Sequence, residues 1–234
     1  MATTFGVLRF PGSNCDDDTV HVVDRVMREH GSRGRIIWHK DQSLGDIDAL
    51  LVPGGFSYGD YLRAGAMAAK SPVMREIIRR AGKGVPVLGI CNGFQVLTES
   101  GLLPGALMRN ANLKYVCKDV HLKVEATDTP FTQGYGNGGV LRIPVAHHDG
   151  NYFADDGLLD ELEDNDQIAF RYSDGGGKLT EDANPNGSRR NIAGILNQER
   201  NVLGMMPHPE RLADPALGGT DGKAMFSGLV EALS

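Results

Sequence analysis

Short apolar runs alternate with amphipathic stretches through the first hundred residues of the chain. After the first run, Val20, Val23, Val26 and Met27 recur at the spacing of a helix. This alternation predicts an α/β fold, with an open and mostly parallel sheet that carries helices on both faces. We expect strands at 4–10, 35–39, 49–52 and 86–90, and helices from 16 to about 31, from 72 to 81 and from 92 to 100.

The pattern changes after residue 105. Apolar and polar residues alternate one by one from Leu113 to Thr127, as in a half-buried strand. Further strands are expected at 140–145, 167–172, 192–197 and 202–206, and helices at 157–164 and 222–233. We interpret this half as antiparallel strands added to the same sheet, so that residues 1–234 form one domain.

Composition and charge narrow the classes of function. A formal net charge of −6 argues against a nucleic-acid-binding surface. The sequence contains no apolar run long enough to cross a membrane and no secretory signal at its start. Three widely spaced cysteines do not make a disulfide framework. We therefore expect a cytoplasmic protein that binds neither nucleic acid nor membrane.

A cysteine stands at the sharpest break in the pattern. Cys91 directly follows the buried strand at 86–90, and a helical pattern begins at Asn92. Gly89 and Gly93 flank it, which gives the Gly-x-Cys-x-Gly form of a nucleophile elbow, a turn too tight for side chains at the glycine positions. The positive end of the helix also stabilises negative charge on the sulfur. Cys91 is predicted to be a catalytic nucleophile.

A histidine near the other end of the chain fits the base that such a nucleophile requires. His208 follows an apolar strand and precedes Pro209, and a residue before proline is held extended. Glu210 then projects to the same side about 6.6 Å further on, where its carboxylate can orient one imidazole nitrogen. The alternative is a proline-rich surface turn, but the independent cysteine elbow favours catalysis.

Acyl transfer also needs donors for an oxyanion. The N–H of Asn92, next after the nucleophile, is one candidate. Gly54 and Gly55 end the third strand at the carboxyl edge of the sheet, where ligands bind in open α/β folds, and offer a second, although an ordinary turn is the alternative. Cys15 precedes three aspartates that oppose a thiolate, and we interpret it as structural. Cys117 lies in a strand pattern and is predicted to pack as a small apolar residue.

Three other motifs do not have the context that their chemistry needs. The segment 134–139 matches Gly-x-Gly-x-x-Gly, but it precedes a strand instead of following one. His147, His148 and Asp149 are consecutive, and in extended backbone neighbours point to opposite faces. Gly222-Lys223 lacks the remainder of a phosphate-binding loop. We therefore predict neither a metal site nor a nucleotide site.

The cysteine and histidine segments together resemble the class I (triad) glutamine amidotransferases. The resemblance rests on Gly-Ile-Cys-Asn-Gly-Phe-Gln at 89–95 and His-Pro-Glu at 208–210. Longer segments resemble one branch of that family, which serves purine biosynthesis, and they span nearly the whole chain; they are 11–16, 53–63, 101–106 and 204–211. One segment departs from the family pattern, because His147-His148-Asp149-Gly150 stands where His-Gly-Glu-Gly is usual.

The resemblance implies a flavodoxin-like amidotransferase fold and hydrolysis of glutamine to glutamate and ammonia through a cysteine thioester. Carried over by position, the site residues would be Cys91 as nucleophile, His208 as acid and base, Glu210 as its orienter, Gly55 and Asn92 as oxyanion donors, and Gln95 in the glutamine pocket.

The resemblance also implies partners. A large synthetase subunit would use the ammonia, with ATP and Mg²⁺, to convert formylglycinamide ribonucleotide (FGAR) to formylglycinamidine ribonucleotide (FGAM), and a small third subunit would join the complex. The chain itself would carry no cofactor. Two alternatives remain open: an amidotransferase that serves a different synthetase, and a non-catalytic regulatory subunit with the same fold. The segment 56–63 argues against the first, and the complete set of Cys91, His208 and Glu210 argues against the second.

Overall fold

Strands and helices follow one another in the computed structural model much as the hydrophobic pattern predicts, and the model describes residues 2–234. The strands are β1 (Thr4–Arg9), β2 (Arg33–Trp38), β3 (Ala49–Val52), β4 (Val87–Ile90), β5 (Ala106–Met108), β6 (Val116–Val124), β7 (Val140–His147), β8 (Asn151–Phe153), β9 (Ile168–Ser173), β10 (Ile192–Leu196) and β11 (Val202–Met205). The α-helices are α1 (Asp16–His21), α2 (Pro72–Ala81), α3 (Asn92–Glu99), α4 (Asp156–Asp164) and α5 (Lys223–Ala232).

A nine-stranded sheet forms the centre of the molecule, in the order β2-β1-β3-β4-β11-β10-β9-β6-β7. The strands β2, β1, β3, β4 and β11 run parallel to one another. The chain steps from β1 to β2 in one direction and from β3 to β4 in the other. Because such crossovers are right-handed, α1 and α2 lie on opposite faces of the sheet. This confirms the predicted α/β fold.

The second half of the chain extends this sheet with antiparallel strands, as its alternating pattern predicts. The strands β10, β9, β6 and β7 follow β11 in the sheet, and each pairs antiparallel with its neighbours. A single cluster of buried apolar side chains runs through both halves, from Phe5 in β1 to Phe226 in α5. Among residues 2–234, no helix has the length and apolar character that crossing a membrane requires.

One local prediction from the sequence is wrong, and one pair of strands was not predicted. The helix expected from 16 to about 31 ends at His21 as α-helix and continues as a π-turn over Val22–Val26 and a 3-10 turn over Arg28–His30. Clustered β-branched valines weaken the regular helix there, and Gly31, with φ +73°, ends the segment. The pair β5 and β8 was missed because each strand has only three residues, too few for a period of two.

Four loops meet where the parallel strands end. They follow β1, β3, β4 and β11, which are neighbours in the sheet, and they begin at Phe10, Pro53, Cys91 and Met206. The direction in which the chain adds strands to the sheet reverses between β1 and β3. Open α/β sheets bind ligands at such a switch point. The fold therefore brings segments that are distant in sequence to one edge.

Candidate active site

Cys91 occupies a strained turn between β4 and α3. Its backbone has φ +51° and ψ −106°, a conformation that side chains rarely adopt, and its N–H donates to the Met205 carbonyl at 2.8 Å. Two residues later, a Cβ at position 93 would lie 1.8 Å from the Val52 carbonyl oxygen, so only glycine fits there. Glycine allows α3 to begin directly against β3, and the strained cysteine is held at the start of that helix.

His208 and Glu210 form a buried pair at the end of β11. The His208 Nδ1–H donates to Glu210 Oε1 at 2.6 Å, and only 2% of His208 and 1% of Glu210 is exposed. The His208 N–H is fixed to the Pro144 carbonyl of β7 at 2.9 Å. His208 Nε2 is buried and makes no hydrogen bond with residues 2–234. This is the orientation that an acid and base needs, with one nitrogen anchored and the other free.

The surroundings of His208 favour its protonated form. Burial alone opposes the charge, but the Glu210 carboxylate, with Cys91 and Cys15, outweighs that cost and raises the pKa of His208 well above its usual value. An imidazole of raised basicity readily accepts a proton from a thiol.

Cys91, His208 and Cys15 converge on one small cavity. A Cβ at position 54 would lie 2.7 Å from His208 Cε1, 3.1 Å from Cys15 Sγ and 3.4 Å from Cys91 Cβ. The cavity at these side chains has a volume of about 20 Å³, and Cys91 is 4% exposed. The Cys91 thiol points to the Ala146 carbonyl at 3.7 Å. Phe56 and Tyr115 line both this cavity and a much larger cleft beside it.

Of the two predicted oxyanion donors, Gly55 lines this cavity and Asn92 directly follows Cys91, which lines it. Gly55 has φ +145°, and a Cβ there would lie 2.8 Å from both the Gly12 carbonyl and the Asn14 nitrogen. Asn92 is the first residue of α3, and the N–H groups of a helix's first turn have no partner within the helix. The arrangement therefore offers one N–H from the β3 loop and one from the elbow.

Gln95 is buried, but both ends of its amide are already engaged. Its Oε1 accepts from Asn92 Nδ2 at 2.8 Å, and its Nε2 donates to the Asp149 carbonyl at 2.6 Å. The Asn92 amide is also fixed from the other side, because its Oδ1 accepts from the Ser57 N–H at 3.1 Å. Gln95 therefore ties the loop after β7 to the helix of the nucleophile.

The sequence did not indicate that Cys15 belongs to the site. The Arg211 Nη2 donates to Cys15 Sγ at 2.9 Å, and Cys15 is 1% exposed. The three aspartates that follow are paired with arginines: Asp16 and Asp17 with Arg9, and Asp18 with Arg211. The one available signal was position, because Cys15 lies in the loop that ends β1 at the carboxyl edge of the sheet.

The prediction for Cys117 is wrong, because its side chain is exposed. The first part of β6 pairs with β7 alone, since β9 pairs with β6 only from His121 to Val124. Nothing covers Cys117 there, although the residue does lie in a strand. All three cysteines are free thiols.

The side chains at the end of β7 and just after it lie partly in the interior and partly in the large cleft. His147 is buried, its Nδ1–H donates to Asn110 Oδ1 at 3.1 Å, and its Nε2 faces Asn186 Nδ2 at 3.5 Å. Burial, together with the charge of His208, lowers the pKa of His147 to about 4. Asp149 and His148 instead line the large cleft. Only His147 points away from the other two, because His148 and Asp149 share the cleft and approach to 3.7 Å, so the predicted alternation of faces fails at this pair.

The depressed pKa of His147 gives a testable dependence of stability on pH. Between pH 4 and 6.5 the unfolded chain binds a proton at this position and the folded chain does not, so the free energy of unfolding rises with pH across that window. The stabilisation is complete above pH 6.5. A His147→Asn variant keeps a donor toward Asn110 and serves as the reference. From pH 6.5 to pH 4, the free energy of unfolding of the unmodified chain should fall by about 3 kcal/mol more than that of this variant. Urea unfolding of both proteins at several pH values measures this, and parallel pH curves would contradict it.

Another cavity, of about 810 Å³, lies among β9, α4 and the segment that follows β6. Its arginines are paired with carboxylates: Arg171 with Glu125 and Glu163, Arg190 with Glu163, and Arg200 with Asp128. Its lining contains no cysteine or histidine. We interpret it as an ion-pair network that holds α4 and the loops to the sheet.

Comparison with known proteins places this geometry in context. A family described as the CobB/CobQ-like glutamine amidotransferase domain matches residues 3–218. A protein of Koribacter versatilis named phosphoribosylformylglycinamidine synthase subunit PurQ is 56% identical over 230 residues, which cover 98% of each chain. A protein of Rhodospirillum rubrum with the same name is 54% identical, over 97% of this chain and 98% of its own.

Two solved structures are also similar to this chain. The chain matches one in the structure of PurLQS from Thermotoga maritima with a TM-score of 0.86 and 41% identity, over the full length of both chains. A glutamine amidotransferase of the same organism matches with a TM-score of 0.61 at 15% identity, over 100% of this chain and 95% of that one, and shows the fold alone.

Proposed function

The chain belongs to the CobB/CobQ-like glutamine amidotransferase family, and on that basis we propose that it is the glutamine-hydrolysing subunit of a phosphoribosylformylglycinamidine synthase. It releases ammonia from glutamine, and a partner synthetase uses that ammonia to convert FGAR to FGAM in purine biosynthesis. One observation carries the proposal: a strained cysteine shares a cavity with a histidine that a buried glutamate orients, in a chain that matches such subunits over 98% of its length.

Acylation begins when His208 takes the proton of the Cys91 thiol. The sulfur attacks the amide carbon of glutamine, and the carbonyl π-electrons move to the oxygen. The Gly55 and Asn92 N–H groups would hold that oxyanion. The tetrahedral intermediate collapses as the carbon–nitrogen bond breaks, His208 returns the proton to the leaving nitrogen, and ammonia departs. A glutamyl thioester remains on Cys91.

Deacylation repeats the sequence with water. His208 removes a proton from the water, whose oxygen attacks the thioester carbon. The carbon–sulfur bond then breaks to give glutamate, and His208 returns the proton to the leaving Cys91 sulfur. Glu210 stabilises the imidazolium that forms in each half of the reaction and keeps Nε2 facing the cavity, where it is buried and unpaired with any described residue. Gln95 acts by holding the Asp149 loop against α3.

A partner follows from the chemistry. Ammonia released to water becomes ammonium, which is not a nucleophile, so the product must pass directly to the subunit that consumes it. The described residues offer an apolar rim beside the cleft, where Leu62 is 90% exposed and Tyr61 74%. We propose that a large synthetase subunit covers this region and that a small third subunit completes the complex. ATP and Mg²⁺ belong to the synthetase, and this chain supplies no cofactor.

The remaining assignments concern the chain as a whole. We propose that residues 1–234 act as one amidotransferase domain, because one sheet and one apolar cluster run through both halves. We also propose a cytoplasmic location, which the three free thiols support.

The decisive experiment follows the amide nitrogen. The chain is combined with the synthetase and the small subunit from the same organism, and given FGAR, ATP, Mg²⁺ and glutamine labelled with ¹⁵N in the amide. Unlabelled ammonium is added at a concentration too low to support ammonia-dependent synthesis, so that it dilutes any label that escapes without replacing glutamine as the nitrogen source. We expect FGAM that carries the label. A product without the label, or no glutamine-dependent product, would mean that this chain does not supply the nitrogen to this synthetase.

A further inference from the structure

Two carboxylates face the large cleft beside the nucleophile. This cleft has a volume of about 680 Å³, and its lining includes Asp60 from the loop after β3 and Asp149 from the loop after β7. Arg63 and Arg109 line it as well. The cleft therefore presents charges of both signs, as a zwitterionic ligand requires.

Both carboxylate loops are fixed to the helix that carries the nucleophile. The Asn92 Nδ2 lies 3.4 Å from Asp60 Oδ1 and 2.8 Å from Gln95 Oε1. Gln95 in turn donates to the Asp149 carbonyl at 2.6 Å. The position of each carboxylate relative to Cys91 is thus set by a continuous chain of hydrogen bonds.

Asp60 lacks a cationic partner. No lysine, arginine or histidine among residues 2–234 lies within ion-pair distance of it, and its neighbour Arg63 is committed to Glu99 through two hydrogen bonds of 2.7 and 2.5 Å. Burial and the nearby charge of Asp149 raise the pKa of Asp60 to about 6. Asp149 is only loosely paired, with Arg109 at 3.5 Å and with His148 at 3.7 Å. A cation placed between the two carboxylates would relieve their repulsion.

The His208 imidazole, in the small cavity next to the cleft, also has a nitrogen without a partner. His208 Nε2 is buried and unpaired with any described residue, and its small cavity adjoins the cleft at Phe56 and Tyr115. A ligand that fits both the small cavity and the cleft has a reacting amide at Cys91 and a positive charge at Asp60. Glutamine has this form, because two methylene groups separate its amide carbon from the α-carbon that carries the ammonium group.

We propose that Asp60 and Asp149 bind the α-ammonium group of glutamine, with Arg109 beside them for the α-carboxylate; this rests on the proposed function. The pair acts as the specificity element of the site, because it recognises a free amino acid and rejects amides that lack the charged amino group. An unpaired carboxylate buried against a ligand that lacks the ammonium would cost binding energy.

The test compares two substrates in the assembled complex. One is glutamine, and the other is glutaramate, which has the same carbon chain, amide and carboxylate but no α-amino group. The unmodified complex should have a kcat/KM for glutamine at least about a hundredfold above that for glutaramate. An Asp60→Asn variant should lose about ten- to a hundredfold in kcat/KM for glutamine, mostly in KM. Its kcat/KM for glutaramate should stay the same or rise, because the unpaired carboxylate is gone.

Controls separate specific from structural effects. Asp46→Asn makes the same charge change at an exposed position and should alter neither substrate's kcat/KM. Asp149→Asn should reproduce the loss for glutamine alone. Equal losses for both substrates in Asp60→Asn would mean that Asp60 acts only through Asn92, and no loss would mean that the ammonium binds elsewhere; either result overturns the proposal. An unmodified complex that hydrolyses no glutamine would instead refute the proposed function.

Discussion

Cys91→Ala is expected to reduce glutamine-dependent FGAM synthesis by at least about a thousandfold, because it removes the thiol that forms the thioester. Ammonia-dependent synthesis should persist, since ammonium salts supply the nitrogen directly to the partner. Both rates are measured on the same preparation of the reconstituted complex. The surviving ammonia reaction shows that the variant folds and assembles, so the loss is assigned to chemistry.

The exposed thiol provides the matched control. Cys117→Ser changes another cysteine of the same chain, outside the cavity, and should leave both rates within about twofold, as surface substitutions do. Retention of glutamine-dependent synthesis in Cys91→Ala would show that a different group attacks the amide. Loss of both rates would show instead that position 91 is needed for assembly.

Glu210→Gln should have the second largest effect, a loss of about a hundred- to ten-thousandfold in kcat with little change in KM. The amide keeps nearly the size of the carboxylate and can still accept from His208 Nδ1–H. It carries no charge, however, so nothing balances the burial that opposes the imidazolium. The pKa of His208 should therefore fall, which weakens it as the base for Cys91 and for water.

Two measurements distinguish this from a packing defect. Titration of isotopically labelled histidine by NMR should show the His208 pKa lower in Glu210→Gln than in the unmodified chain. Glu181→Gln, the same change at an exposed position, should shift neither this pKa nor kcat. If kcat fell in Glu210→Gln while the His208 titration stayed unchanged, Glu210 would not act by stabilising the imidazolium.

The sequence predicts those parts of the site that depend on local chemistry. The nucleophile elbow, the His-Pro-Glu segment and the parallel strands follow from spacings within ten residues or so, which glycine, proline and hydrophobic periods determine. The antiparallel half of the sheet also follows from its period of two. The pairing of Glu210 with His208 also follows from the sequence, but the expected extended geometry is wrong. A 3-10 turn over Pro209–Leu212 begins directly after His208 and brings the Glu210 carboxylate to the imidazole.

Other parts depend on which strand ends become neighbours. Cys15 reaches His208 and Arg211 only because β1 lies beside β3, and that adjacency is a property of the strand order. Asp60 lies in a turn where Tyr58, Asp60 and Leu62 all have positive φ, although such residues disfavour that conformation. No propensity predicts a turn of this kind, and tertiary packing has to impose it. Cys117 is exposed for a similar reason, because β6 extends beyond β9.

We propose that Cys91, and not its buried neighbour Cys15, attacks the amide carbon of glutamine. The most direct test treats the assembled complex with 6-diazo-5-oxo-norleucine, a glutamine-shaped diazoketone that alkylates a nucleophilic sulfur and releases nitrogen gas. Tandem mass spectrometry then locates the adduct. We predict a single adduct on Cys91, absent when excess glutamine is present. An adduct on Cys15, or one on Cys91 that glutamine does not prevent, would contradict the account.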